Sequence, residues 1–359
     1  MSMEGSKKSE TLIIGMPAGS LADPNRGGNL MQLLEAAGFR TKGYDAGGPT
    51  TFPGITFLYG WDGRPQEFGS QLGIGEIDVA IGGDDWIKER LLELEIEYGV
   101  QVTLEKVLSL KRGGVKIVGI VRGEEEAITA GQVLEKILRT KPLITVVAEM
   151  PYIALDWVRK ELASLGRSDL ASSWSVQKYK TPPRIDRGIL IYETWGKTES
   201  KVKNGGADLG IEITQSGSAI RNYGLKIIAT LLESESGIWI NPSVRMNREK
   251  STLLDMFLLN LYGTLNAEGK VLVVFNVPNP LTAKVEEFLR VNSLYADEPT
   301  RTVGKDFTVY SIQVDTENPR FPLARVRYEL ALLGARSIDT MPLSSSIPGL
   351  GALNGKLLV

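Results

Sequence analysis

The stretch Glu212-Ile213-Thr214-Gln215-Ser216-Gly217-Ser218-Ala219-Ile220 is an apolar strand that runs into a hydroxyl- and glycine-rich turn and then into a helix. A strand, a loop of small residues and a helix in that order form half of a βαβ unit. Its partners must lie beside it in a parallel or mixed sheet covered by helices. The same order also collects backbone N–H groups around an anion, because a helix N-terminus leaves donors free and carries partial positive charge. An acidic residue before the turn, Glu212, suits sugar hydroxyls better than phosphate.

The theme recurs along the chain. Thr11–Pro17 reads as a buried strand, followed by the turn Ala18–Asp23 and a helix around Asn29–Ala37 closed by Gly38. Ile77–Gly82 is a second buried strand ending in Gly83-Asp84-Asp85, with a helix carrying Trp86, Ile87, Leu91 and Leu92 behind it. Strands at Val115–Val121, Leu143–Ala148, Gly188–Tyr192 and Ala207–Ile213 alternate with helices at Gln132–Leu138 and Ile153–Leu165. Two α/β lobes are therefore expected, with a ligand in the cleft between them. Leu225–Asn241 is expected to return to the first lobe, and Glu249–Leu265 to lead out of it as a long helix.

From Lys270 the pattern changes. Strands at Val271–Val277, Pro299–Val303, Thr308–Val314 and Arg336–Pro342 are spaced by helices at Leu281–Val291 and Pro319–Leu333, the second with Asn318 as N-cap and Pro319 at N1. That order, βαββαβ, predicts a ferredoxin-like domain. The expected division is 10–117 plus 226–265 for lobe I, 118–225 for lobe II and 266–348 for the C-terminal domain.

Composition narrows the chemistry. The 359 residues contain neither cysteine nor histidine, which excludes disulfides, thiolate or imidazole metal sites, Ser-His-Asp triads and a histidine base. Work at a site falls to carboxylates, Lys and Arg, hydroxyls, backbone dipoles or an ion carried in by a substrate. The formal charge of −2 offers no field for nucleic acid or an anionic membrane. No leader or spanning segment is read, so a cytoplasmic protein is expected.

The segment from Glu199 to Ile220 resembles the signature of the ATP phosphoribosyltransferases: a Glu, five residues, Gly, a small residue two further on, then an acidic residue leading into Ser/Thr-Gly-x-Thr-Leu. Glu199, Gly205, Ala207, Glu212, Ser216 and Gly217 fall in register, whereas Gly210, Glu212, Ala219 and Ile220 depart from the commonest residues. Met16-Pro17-Ala18-Gly19-Ser20-Leu21 stands where the family has Leu-Pro-Lys-Gly-Arg-Leu, so both cations of that loop are missing. Arg64–Gly69 and Gly75–Asp85 match two further motifs, and Leu225–Pro242 follows the family's stretch after the phosphate loop. FNVPNPLTAKVEEFL, Glu298–Thr300 and LLGARSIDTMPL resemble the C-terminal regulatory domain of the long-form enzymes.

The resemblance implies an α/β fold of two periplasmic-binding-protein-like lobes with a C-terminal ferredoxin-like domain. It implies transfer of phosphoribosyl from phosphoribosyl pyrophosphate to N1 of ATP, with substrate-borne Mg²⁺, a histidine effector and a homohexamer. Catalytic roles fall on Glu199, Glu212 and Asp78. Substrate binding falls on Arg64, Gly19, Gly82, Asp85, Gln215, Ser216, Gly217, Ser218, Ala219 and Ile220. Taken by themselves, Asp85 reads equally as a helix cap, Arg64 as a solvated loop charge, and Glu199 as a helix N-terminal carboxylate worth roughly 0.3–1 kcal/mol. Trp61, Trp195 and Trp239 read as core aromatics or as platforms for a base. The missing cations at 18 and 20 leave two alternatives open: a related transferase with another nucleophile, and a non-catalytic two-lobed binding or regulatory protein.

Overall fold

A computed structural model describes residues 10–19, 21, 29–44, 48–295 and 300–353. The described chain divides into two compact units. One holds Thr41–Leu254 with the described residues before Met31; the other holds Met31–Arg40 with the described residues from Asp255 onward.

The first unit is built on two sheets. β1 (Leu12–Pro17), β2 (Leu58–Gly63), β3 (Val79–Gly83) and β4 (Glu105–Ser109) belong to one of them. The other contains β5 (Val115–Arg122), β6 (Leu143–Ala148), β7 (Trp174–Lys178), β8 (Gly188–Glu193), β9 (Leu209–Thr214) and β10 (Leu225–Ser234); β11 (Ser236–Ile240) then completes the first. The strand orders are β2-β1-β3-β11-β4 and β10-β5-β9-β6-β8-β7. β1 is parallel to β2 and β3, and β6 to β8 and β9. All six residues of β1 are buried, as a strand covered on both faces requires. Helices Pro65–Gly73 and Asp84–Tyr98 cover the first sheet, and Ala130–Leu138 and Pro151–Ser164 the second. The second lobe's core packs Ile144, Val146, Leu155, Val158, Ile189 and Ile191 together. Thr129 opens the helix Ala130–Leu138 with a complete capping box, its hydroxyl accepting from Gln132 N–H.

The chain crosses between the lobes twice, after β4 and after β10. The two crossing segments are hydrogen-bonded to each other, Leu110 N–H to Ser236 O and Ser236 N–H to Arg112 O, both at 2.9 Å. Two α/β lobes joined by adjacent crossing strands are the periplasmic-binding-protein-like arrangement. The return to the first lobe is later than residue 226: β10 pairs antiparallel with β5 along its whole length, and only β11 joins the first sheet, beside β3 and β4. Periodicity in Leu225–Asn241 specifies strand but not which sheet edge accepts it.

The second unit carries β12 (Lys270–Pro278), β13 (Thr300–Val303), β14 (Phe307–Asp315) and β15 (Arg336–Pro342), ordered β13-β14-β12-β15 and antiparallel throughout. With helices Thr282–Val291 and Leu323–Leu332 this is the ferredoxin-like fold. Val273, Phe275, Val285, Leu289, Tyr310 and Val326 form its core. The last helix begins at Leu323, not at Pro319. The Asn318 side chain instead closes a turn, accepting from Arg320 N–H at 2.9 Å and Phe321 N–H at 3.2 Å. Pro322 then holds Phe321 out of the helical region. The division between the units falls inside the helix Arg248–Ala267. Residues 31–40, expected in the first lobe, belong to the second unit, where Phe39 packs on Phe257 with ring centroids 5.0 Å apart.

Candidate functional site

Chain ends of the parallel strands converge on one cleft of about 550 Å³ in the first unit. β1 delivers Ala18 and Gly19, β2 delivers Arg64, and β3 delivers Gly83 and Asp85. From the second sheet come Glu149 after β6 and Ile213 on β9. A ligand in an open α/β fold binds at these carboxyl ends, where loops and helix N-termini face outward.

Gly210 decides how the acidic pair in lobe II is built. A Cβ at this position would lie 2.7 Å from Val202 Cγ2 and 2.9 Å from Thr198 Cγ2, so glycine lets the helix Thr198–Lys203 sit directly on β9. Glu199 on that helix is thereby brought beside Glu212 on the strand. Burial first, and the Glu199 charge second, push the Glu212 carboxyl up to about 7. Its Oε1 accepts from Ile213 N–H at 3.0 Å, while Oε2 is buried with no partner among the described residues. A buried oxygen left this way costs on the order of 1–3 kcal/mol until something donates to it.

The loop after β9 is open. Gln215, Ser216, Ser218 and Ala219 are exposed. Gly217 takes φ 69°, a left-handed conformation that starts the short helix Ser218–Asn222. Thr214 Oγ1 accepts from Gly217 N–H at 2.9 Å, and Ser216 Oγ from Ser218 N–H at 3.3 Å. The Ala219 and Ile220 amides have no hydrogen-bond partner among the described residues. The Ile220 side chain is core, packed with Val118, Val147 and Leu190, so its contribution to a ligand is its N–H alone.

Across the cleft, Asp85 is buried and its carboxyl is raised, by burial above all, against hydrogen bonds from Trp86 N–H and others. Burial and then the Asp85 charge raise Glu149. Arg64 is exposed and, among the described residues, paired with no carboxylate. Ser20 lies outside the described residues.

Other expected site residues are placed elsewhere. Asp78 precedes β3, at the end of the strand opposite Gly83 and Asp85. Both its oxygens meet Lys250 Nζ at 2.7 Å, and Oδ2 also accepts from Ile13 N–H at 2.9 Å. With its acceptors engaged, Asp78 joins β1, β3 and the helix Arg248–Ala267, and the cleft does not reach it. Gly82 pairs with Gly237 inside the sheet, and Gly83 is the glycine that faces the cleft. Trp61 and Trp239 pack on the first lobe's core, whereas Trp195 stands 74% exposed. Sequence reasoning missed Glu149, Gln66 and Trp86 as lining of this cleft; the signal available for Glu149 was its place between a buried strand and the helix-opening Pro151.

Two α/β lobes, an open amide-bearing loop and a carboxylate pair beside it define a phosphosugar-binding enzyme of the two-lobed class. The pattern of the HisG family, described as ATP phosphoribosyltransferase, matches residues 64–261, and this chain belongs to that family. The ATP phosphoribosyltransferase of Trichlorobacter lovleyi is 25% identical over 284 residues, covering 79% of this chain and 83% of that protein. That of Geotalea daltonii is 25% identical over 341 residues, covering 94% and 100%. Among solved structures, the ATP phosphoribosyl transferase (HisG:HisZ) complex from Thermotoga maritima aligns at 17% identity and TM-score 0.47, over 70% of this chain and 99% of that one.

Proposed function

We infer that the cleft transfers the phosphoribosyl group of phosphoribosyl pyrophosphate to N1 of ATP, releasing pyrophosphate, the first step of histidine biosynthesis. Membership of the family supports the reaction. The observation that carries it to this site is Glu212, whose buried Oε2 lacks a donor next to a loop with unpaired amides.

The chemistry tolerates a chain without histidine. Adenine N1 carries no proton, and pyrophosphate leaves as an anion, so the demand is for orientation and charge stabilisation at C1 of the ribose. In this reading the Ser216–Ile220 backbone holds the 5-phosphate, Glu212 accepts from ribose hydroxyls, Glu199 supports it, and Arg64 meets phosphate. Enzymes of this family work with a metal ion. The ion proposed here is Mg²⁺, entering on pyrophosphate and ribose oxygens as part of the substrate. The unpaired carboxylates of the cleft fit a substrate that brings its own cation.

The ferredoxin-like domain is proposed to bind histidine as an inhibitory end product, within a cytoplasmic homohexamer. Pyrophosphate release from phosphoribosyl pyrophosphate, measured with ATP and with a panel of other nucleotides and bases, tests the transfer. Release with another acceptor but not ATP would overturn the assignment. Adding histidine to the same assay should inhibit; a flat response up to millimolar concentrations would remove the feedback role.

A further inference from the structure

The helix Asp84–Tyr98 starts from lobe I, at the end of β3, yet one of its faces belongs to lobe II. Ile87 is in the first lobe's core with Leu91 packed against it, whereas Trp86, Leu92 and Ile96 pack on the second lobe's core. Apolar contact is non-directional, so by itself it leaves two such surfaces free to slide. Glu89 supplies the direction. It is buried in this contact, and its two oxygens accept from Tyr152 N–H at 2.9 Å and Ile153 N–H at 2.7 Å. Both are first-turn amides of the helix Pro151–Ser164, which no bond within that helix can satisfy. Burial above all pushes the Glu89 carboxyl up to about 8, against these two donors, with Glu93 adding to the rise and Arg90 opposing it. Tyr152 O–H donates to Glu97 Oε1 at 2.9 Å, a further directional bond across the same contact. The two helices also end at the main cleft. Asp85, one turn before Glu89, lines it from lobe I, and Glu149, just before Pro151, lines it from lobe II.

We propose that Glu89 is a positioning residue: by gripping the second lobe's helix from the first lobe's, it fixes the angle between the lobes and so the separation of the cleft's two walls during phosphoribosyl transfer. Its part in the reaction rests on the transferase reading above; its hold on the lobe angle does not. Two lobes joined by crossing strands otherwise open and close as a hinge. A substrate divided between them then reacts only when both walls stand at the right distance, and a misplacement on the order of 1 Å can cost about a hundredfold in rate. A buried carboxylate with two fixed donors has one good geometry, which apolar packing alone does not impose. Glutamine at this position is nearly isosteric, but its NH₂ only donates. One amide keeps its acceptor and helps hold the fold, while the other loses it and the register loosens.

The chain has no cysteine, so a pair of spin labels can be placed cleanly. Glu76→Cys in lobe I and Arg139→Cys in lobe II, both exposed positions, report the inter-lobe distance in the full-length protein without turnover. At pH 9, above the value of about 8, Glu89 is charged and the labelled protein should give one narrow distance. Glu89→Gln on the same background should broaden that distribution at least about twofold. In the unlabelled variant, kcat for pyrophosphate release with ATP should fall at least about tenfold, while affinity for phosphoribosyl pyrophosphate stays within about threefold. Tyr152→Phe, which removes only the bond to Glu97, should broaden the distance less and lower kcat about threefold; it decides the matter if Glu89→Gln does not fold. An unbroadened distance in the folded variant overturns the hold on the lobe angle. Broadening with kcat unchanged overturns the part in the reaction. Wild type that releases no pyrophosphate with ATP removes the transferase reading, and the distances still decide the rest.

Discussion

The two lobes bring unequal chemistry to the same cleft. Lobe II presents a loop with free amides, a carboxylate pair and an orphaned oxygen, all within β9 and the helices on either side. Lobe I presents Ala18 and Gly19 at the end of β1, where related enzymes carry a cation, with Arg64 as its unpaired positive side chain there among the described residues. Its other expected carboxylate, Asp78, is spent on Lys250 and Ile13. In the proposed reading this difference puts the sugar-phosphate half of the site in lobe II, and leaves lobe I to bind through Arg64 and the ion that the substrate would carry.

The largest effect should come from the carboxylate that does no chemistry. Asp78→Ala leaves Lys250 largely buried without a partner and Ile13 N–H without an acceptor, and should cost about 3 kcal/mol of stability. Denaturant melts would show it, and turnover per folded molecule should hold. A drop in kcat/KM with stability intact would restore Asp78 to the catalytic set. Glu212→Gln should behave in the opposite way, keeping the fold and losing more than about tenfold in kcat/KM, near 1.4 kcal/mol.

The titration of Glu212 sharpens the contrast. Its folded value of about 7 stands above the ordinary carboxyl range, so its protonated form is favoured in the free protein. The stabilisation tied to that proton is present in acid and is lost as pH rises through about 7. In the proposed reading substrate binding needs the charged acceptor, so kcat/KM for phosphoribosyl pyrophosphate should fall as pH drops below about 7, and the profile of Glu212→Gln should be flat there. An identical fall in the variant would assign the titration to another group. The smallest effect is expected from Ala18→Lys. Returning a cation to an exposed loop should tighten the anionic substrate by a few-fold at low salt, about 0.5–1 kcal/mol, and the gain should fade as salt is added.

Much of this was legible along the chain, because some of its determinants are local. A run of apolar residues followed by Gly217 specifies strand, left-handed turn and helix wherever the segment lies, so the anion loop could be read before any fold was known. The βαββαβ order of residues 270–342 likewise carried its own topology, down to a helix start misplaced by four residues because the Asn318 turn and Pro322 compete with Pro319 for the boundary. What the sequence could not settle is who meets whom across distance. Asp78 and Glu212 look alike as strand-flanking carboxylates; Lys250, 172 residues away, silences the first, and the approach of Glu199 over Gly210 raises the second. Glu149 and Gln66 carry no motif, and come together only where β6 and the helix after β2 open on one cleft. Local backbone preference is written residue by residue, but the partner of a charge is decided by packing, and in a buried site the partner determines whether a carboxylate holds the fold or waits for a substrate.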